Sequence, residues 1–99
     1  MTLEELKSSL GDDAPPTTAS AEIRALWSDA QGDWDAAHVI IQELDSTQAA
    51  WVHAYLHRRE GDPQNAAYWY RRCSREVCQL SLEEEWDQIA TTLLADERA

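Results

Sequence analysis

The stretch GDWDAA at residues 32–37 recurs 29 residues later as GDPQNA at residues 61–66. A large residue follows each copy at the same offset, Ile41 in the first case and Tyr70 in the second. Glycine tolerates the left-handed backbone conformation that ends many helices, and an aspartate side chain can accept hydrogen bonds from the first free N–H groups of the next helix. The repeat therefore predicts two corners of the same construction, each joining one helix to another.

Capping signals and apolar spacing extend this prediction to the whole chain. Thr2 and Ser81 each stand three residues before a glutamate, which is the spacing of a capping box at a helix start. Gly11 suits the left-handed residue after the first helix, and the prolines within residues 14–16 predict a linker. Apolar residues at helical spacing predict five further helices, and no stretch alternates as a strand would. These helices begin at or just after Ala21, Asp33, the turn at residues 45–46, Asp62 and Ser81.

The repeated unit resembles the tetratricopeptide repeat, in which a helix with a small residue, a Gly-Asp turn and a second helix beginning with alanine form one unit. The resemblance covers about residues 22–75, although the period of 29 is shorter than the family's period of about 34. It implies an all-α fold of antiparallel helix pairs stacked as a short right-handed array with a C-terminal capping helix. Residues 1–18 are expected to form an N-terminal helix and linker, and residues 19–99 the helical-repeat domain.

A second resemblance is confined to residues 51–62 (WVHAYLHRREGD) and 65–72 (NAAYWYRR). These residues are similar to a stretch shared by a group of uncharacterised bacterial and plant proteins. This likeness implies no activity.

The bulk composition excludes several classes of protein. The chain of 99 residues is 43% hydrophobic and carries a formal net charge of −11. Nucleic acid is not an expected partner, because binding to phosphates needs an attractive field. No apolar run approaches the roughly 20 residues of a membrane span. The acidic start MTLEE also differs from a secretory signal, which is basic and then apolar. We therefore expect a cytoplasmic protein without a membrane partner.

Arginines and aromatic residues are concentrated in one part of the chain. Between residues 50 and 78, five arginines stand against three acids, whereas the remainder of the chain is strongly acidic. Arginine beside an aromatic ring suits the capture of a carboxylate. We therefore predict a non-catalytic protein-interaction module that binds an acidic peptide or another carboxylate-bearing partner through one contiguous patch. Its predicted contact residues are His53, His57, Arg58, Arg59, Tyr68, Trp69 and Arg72.

Other interpretations of the same residues stay open at this stage. The arginines could instead pair internally with acidic helices, for which residues 83–85 are the obvious candidates. An exposed aromatic surface could form the seam of a homodimer. No serine or cysteine lies in an activating pattern, so catalysis is less expected than binding, and no cofactor is predicted.

The alternative function is a small metal-binding protein or enzyme that uses His53 and His57. These residues are four apart on one predicted helix, so their imidazoles share a face. Zinc could use that spacing, but it needs a third ligand from Glu60, Asp62, His38 or a distant carboxylate. If there is no metal, one histidine is expected to pack in the core and the other to be solvated.

Overall fold

The computed structural model describes residues 1–98 and confirms the all-α prediction. Within that range the chain forms six helices and no strand. None of these helices is both long and apolar enough to cross a membrane. The helices are α1 (Leu3–Ser9), α2 (Ala21–Ala30), α3 (Trp34–Gln42), α4 (Thr47–Glu60), α5 (Pro63–Arg72) and α6 (Leu82–Arg98).

The two predicted corners are present and have nearly the same geometry. Gly32 follows α2 with a φ of 82°, and Gly61 follows α4 with a φ of 84°. Asp33 and Asp62 then cap α3 and α5, each side chain accepting from the backbone N–H three residues later, at 3.0 and 3.2 Å. The sequence repeat is therefore a structural repeat at the level of the corner, where a left-handed glycine and a capping aspartate turn the chain.

The prediction for Gly11 is wrong. Positive φ occurs at the other two glycines but not at Gly11, and Leu10, the residue that caps the C-terminus of α1, has a right-handed conformation. The remaining left-handed residue among residues 1–98 is Ser74, with a φ of 58°. It follows the end of α5, where the N–H of Arg75 reaches back to the carbonyl of Tyr70 at 2.9 Å. A serine thus occupies the position that glycine fills at the two corners.

The glycine assignment can be tested by adding a methyl group at two positions. Gly61→Ala is expected to lower the free energy of unfolding by roughly 1 kcal/mol, because alanine is strained at a positive φ although nothing obstructs its Cβ. Gly11→Ala is the matched control, since its Cβ meets only the Ser8 carbonyl oxygen at 3.8 Å. Urea denaturation measures both. Equal losses in the two variants would contradict the backbone argument.

Helix α4 lies at the centre of the fold. Every residue from 49 to 57 is buried, and the helix packs against α2, α3, α5 and α6. The N-terminal helix joins the same core through Leu6, which has no exposed surface, and through Ser9, whose hydroxyl accepts from the Trp27 indole at 3.2 Å. The capping boxes predicted at Thr2 and Ser81 are both formed.

A buried carboxylate joins α4, α5 and α6. Glu85 has no exposed surface. It accepts from the Arg58 guanidinium at 2.9 Å, from the Trp51 indole at 3.2 Å and from the Tyr70 hydroxyl at 2.6 and 2.8 Å. Arg58 also donates to the carbonyl of Leu80, just before α6. Arg58 is therefore committed to an internal ion pair, as one of the open interpretations expected.

A second buried carboxylate, that of Asp29, forms an ion pair with Arg59. One oxygen of Asp29 accepts from the Tyr55 hydroxyl at 2.9 Å, and the other lies 3.0 Å from the Arg59 Nε. Burial raises the pKa of Asp29, and the hydrogen bond from Tyr55 and the charge of Arg59 oppose that rise. This group ties α4 to α2, on a different side from Glu85.

Breaking the Glu85 ion pair should be far more damaging than breaking an exposed pair. Arg58→Met is expected to lower the free energy of unfolding by about 3 kcal/mol, because it leaves a buried carboxylate without its counter-ion. Lys7→Met is the control. It breaks the exposed pair of Lys7 with Asp87, at 2.9 Å, and should change stability by less than about 1 kcal/mol. Thermal and urea unfolding measure both variants, and comparable effects would contradict the role given to Glu85.

Candidate functional site

Three histidines from two helices pack against one another. His53 and His57 lie one turn apart on α4, each 6% exposed, and His38 on α3 is half-buried. The ring centroids of His53 and His57 are 4.8 Å apart, and His38 lies 5.0 and 5.3 Å from them. We call these three residues the histidine cluster. The expectation that one of the α4 histidines would be solvated is wrong, because α4 turns both toward its neighbours.

Two tryptophans stack on rings of the histidine cluster. Trp34 stacks on His38 at 4.8 Å, with 9° between the ring planes, and Trp69 stacks on His53 at 3.8 Å and 14°. The Trp34 indole also donates to the carbonyl of Leu56 at 2.7 Å, which fixes α3 to α4. Because Trp34 and His38 are four residues apart on one helix, their stacking follows from helical spacing.

Burial keeps part of the cluster uncharged. Burial is the main cause that lowers the pKa of His53 to about 4, and the neighbouring imidazoles of His57 and His38 lower it further. The pKa of His38 is also lowered, chiefly by burial and then by His57, while Glu60 and Asp35 raise it. His53 therefore carries a neutral imidazole near pH 7, which retains a lone pair for a ligand.

A carboxylate fixes the proton on the third ring. The Nδ1 atom of His57 is hydrogen-bonded to Glu60, one turn later on α4. A carboxylate can only accept, so Nδ1 carries a hydrogen, and Nε2 is the nitrogen that the neutral form of the ring can offer to a ligand.

Two groups of residues bring enough ligand atoms together for a metal ion. They are the histidine cluster and the set His57, Glu60 and Asp62.

A cationic and aromatic surface adjoins the cluster at α5. Tyr68 is 44% exposed, and its hydroxyl accepts from Arg72 at 3.0 Å. The Arg72 guanidinium lies 5.3 Å from the ring centroid of Trp69, the same tryptophan that stacks on His53. Arg71 is also exposed in the last turn of α5. Arg75, beyond the end of α5, lies over the Trp51 ring at 3.4 Å and is not part of this surface. We call Tyr68, Trp69, Arg71 and Arg72 the arginine surface.

The structure brings some of the predicted contact residues together and separates others. His53, His57, Tyr68, Trp69 and Arg72 form a continuous chain of ring and guanidinium contacts. Arg58 and Arg59 lie outside this chain and face the buried acids described above.

The sequence prediction missed two residues near the site. Trp34 is half-buried and stacks on His38. The spacing of Trp34 and His38 would have indicated that contact. Arg71 was counted in the charge but left out of the contact set, and its exposure depends on where α5 ends.

Comparison of the chain with protein-family models, with curated proteins and with solved structures gives no match.

The neutral histidine predicts how stability depends on pH. The pKa of His53 is about 4 in the folded chain against an ordinary value of 6.5. Between pH 4 and pH 6.5 the unfolded chain binds a proton at His53 and the folded chain does not. The stabilising contribution is therefore complete above pH 6.5 and is lost as the pH falls toward 4. From pH 7 to pH 5 this group alone should remove about 2 kcal/mol of stability.

The control for this prediction is His53→Gln, which keeps a polar side chain but cannot titrate. Urea denaturation at several pH values between 5 and 7, with a chelator present, gives the free energy of unfolding of both proteins. The difference between the two curves isolates His53 from the carboxylates that titrate in both. A difference that does not change with pH would show that His53 is not held neutral.

Proposed function

We propose that this protein is a non-catalytic interaction module that binds an acidic peptide through the arginine surface. The observation that carries the proposal is that the two arginines of this surface are exposed and form no ion pair. None of the ion pairs formed among residues 1–98 involves Arg71 or Arg72, although the whole chain carries a net charge of −11. Cations that remain exposed beside so many acids create a local attractive field for an anionic partner.

The aromatic residues support a peptide as the partner. Tyr68 and Trp69 meet edge to face, with ring centroids 5.2 Å apart, and Arg72 lies against both. A guanidinium held in this way has less side-chain freedom to lose when it pairs with a carboxylate. Tyrosine, tryptophan and arginine are also the residues that most often dominate binding energy at protein interfaces.

The repeated corner supports the same class of function. Helical repeat proteins bind segments of other proteins on the surfaces that their stacked helices create. We propose that α2–α3 and α4–α5 are two units of a tetratricopeptide-like array and that α6 is its capping helix. In this arrangement Trp69 is part of the binding surface, while His53 and His57 support it from within.

The test uses a fluorescein-labelled peptide of alternating aspartate and glutamate and measures fluorescence anisotropy at low ionic strength. Arg72→Glu should weaken binding by about tenfold or more, because a hydrogen bond to a charged group contributes about 1.5–3 kcal/mol. Arg24→Glu is the matched control, since it changes the net charge equally from an exposed position on α2.

Two outcomes would contradict the proposal. Equal weakening by Arg72→Glu and Arg24→Glu would show that only the net charge matters. Absence of binding by the original chain at low salt would remove the acidic partner altogether. A lysine-rich peptide of the same length serves as the control for the sign of the charge, and circular dichroism checks that each variant is folded.

A further inference from the structure

The nitrogen atoms of the histidine cluster converge. One ring nitrogen from each of His38, His53 and His57 lies within 4.8 Å of the other two. A tetrahedral zinc ion bound by imidazoles at about 2.0–2.1 Å holds its ligand nitrogens about 3.4 Å apart. Each nitrogen therefore needs to move by less than about 1 Å to reach that arrangement. Small rotations of the rings supply movements of this size.

We propose that His38, His53 and His57 bind a divalent first-row transition-metal ion of the zinc class. Imidazole nitrogen is a good donor for zinc, copper and nickel, whereas magnesium and calcium take oxygen ligands. Three protein ligands leave a fourth position for water or an exchangeable anion, which is the arrangement of reactive rather than purely structural zinc sites.

Glu60 has the position of an outer-shell residue in such a site. Metal-binding histidines usually donate their second ring N–H to a carboxylate or a carbonyl, which orients the ring and strengthens the donor nitrogen. The hydrogen bond between His57 Nδ1 and Glu60 is of this kind, and it leaves Nε2 for the metal. Glu60 is thus a positioning residue, because it acts on the ion through His57.

The other two ligand rings are positioned by stacking. His53 lies against Trp69 with ring centroids 3.8 Å apart, and His38 lies against Trp34 at 4.8 Å. The hydrogen bond from the Trp34 indole to the Leu56 carbonyl ties this pair to α4. The ligands are therefore partly ordered before the ion arrives, which reduces the entropy lost on binding.

A competing set of ligands shares one histidine with this site. His57, Glu60 and Asp62 also bring three donor atoms together. However, Asp62 already caps α5 by accepting from the N–H of Asn65 at 3.2 Å, and Glu60 is already bonded to His57. An ion bound to the atoms that make these bonds would break them, whereas an ion bound to His38, His53 and the Nε2 of His57 would leave the cap and the hydrogen bond in place.

The two sets differ by residues that can be changed separately. His38 belongs only to the histidine cluster, and Asp62 belongs only to the competing set. The site also goes beyond the proposed peptide binding, because none of its three ligands is a member of the arginine surface. Arg72→Glu should therefore leave zinc binding unchanged within a factor of about two to three, which separates failure of this proposal from failure of the first.

The experiment measures Zn²⁺ binding in competition with a chromophoric chelator, using protein prepared without a polyhistidine tag and stripped of metal. The expected result for the original chain is one equivalent of Zn²⁺. His38→Gln should weaken binding by at least about 100-fold, because it removes a ligand. Glu60→Gln should weaken it by about 10- to 100-fold with the stoichiometry kept, as outer-shell changes do. Asp62→Asn should bind as the original chain does.

Co²⁺ reports on the ligands directly. Tetrahedral or five-coordinate Co²⁺ with nitrogen donors should give visible absorption in the original chain and in Asp62→Asn, but not in His38→Gln. If circular dichroism shows that His38→Gln is unfolded, a second measurement is used in place of that variant. It compares the imidazole nitrogen-15 chemical shifts of the original chain with and without Zn²⁺. Shifts at His38, His53 and His57 together support the proposal, whereas a shift at His57 alone would place the ion in the competing set.

Either of two results overturns the proposal. Loss of binding in Asp62→Asn with retention in His38→Gln would place the ion in the competing set. Zn²⁺ uptake by the original chain no greater than that of a folded variant with all three histidines changed to glutamine would show that the cluster is an aromatic packing unit.

Discussion

The carboxylate of Glu85 lies inside the core with no exposed surface. Removing a charge from water costs several kcal/mol, and only a counter-ion and well-placed hydrogen bonds offset that cost. Arg58 on α4 is the counter-ion, and Tyr70 on α5 donates hydrogen bonds, so both helices are held in a fixed orientation relative to α6. Trp51 donates a further bond from α4. Apolar packing alone tolerates small changes in helix rotation, whereas a buried ion pair does not, because each oxygen must keep its donor.

The rotation of α4 determines the composition of the candidate site. Successive side chains on a helix turn by about 100°, so Arg58 points about 140° away from His53 on one side and Arg59 about 120° away on the other. Once these arginines pair with Glu85 on α6 and Asp29 on α2, the remaining face of α4 carries the two histidines toward α3 and α5. The histidine cluster thus exists because the buried acids fix the opposite faces of the same helix.

Local features of the fold were predictable, and long-range partners were not. The corners at Gly32 and Gly61 and the caps at Thr2 and Ser81 depend on residues a few positions apart, so the sequence indicates them directly. Gly11 shows the limit even of local signals, because glycine permits a left-handed residue without requiring one. The pairing of Arg58 with Glu85 spans 27 residues and depends on how three helices pack.

The same limit applied to the candidate site. Helical spacing placed His53 and His57 on one face, but the third histidine stayed one of several choices. Only the packing of α3 on α4 brings His38 to them. The arginines show a related distinction. Arg71 and Arg72 stand in the last turn of α5, where the helix dipole favours positive charge without any acidic partner. Their exposure is compatible with a stable fold, and they take part in none of the ion pairs formed among residues 1–98, whereas Arg58 pairs with Glu85.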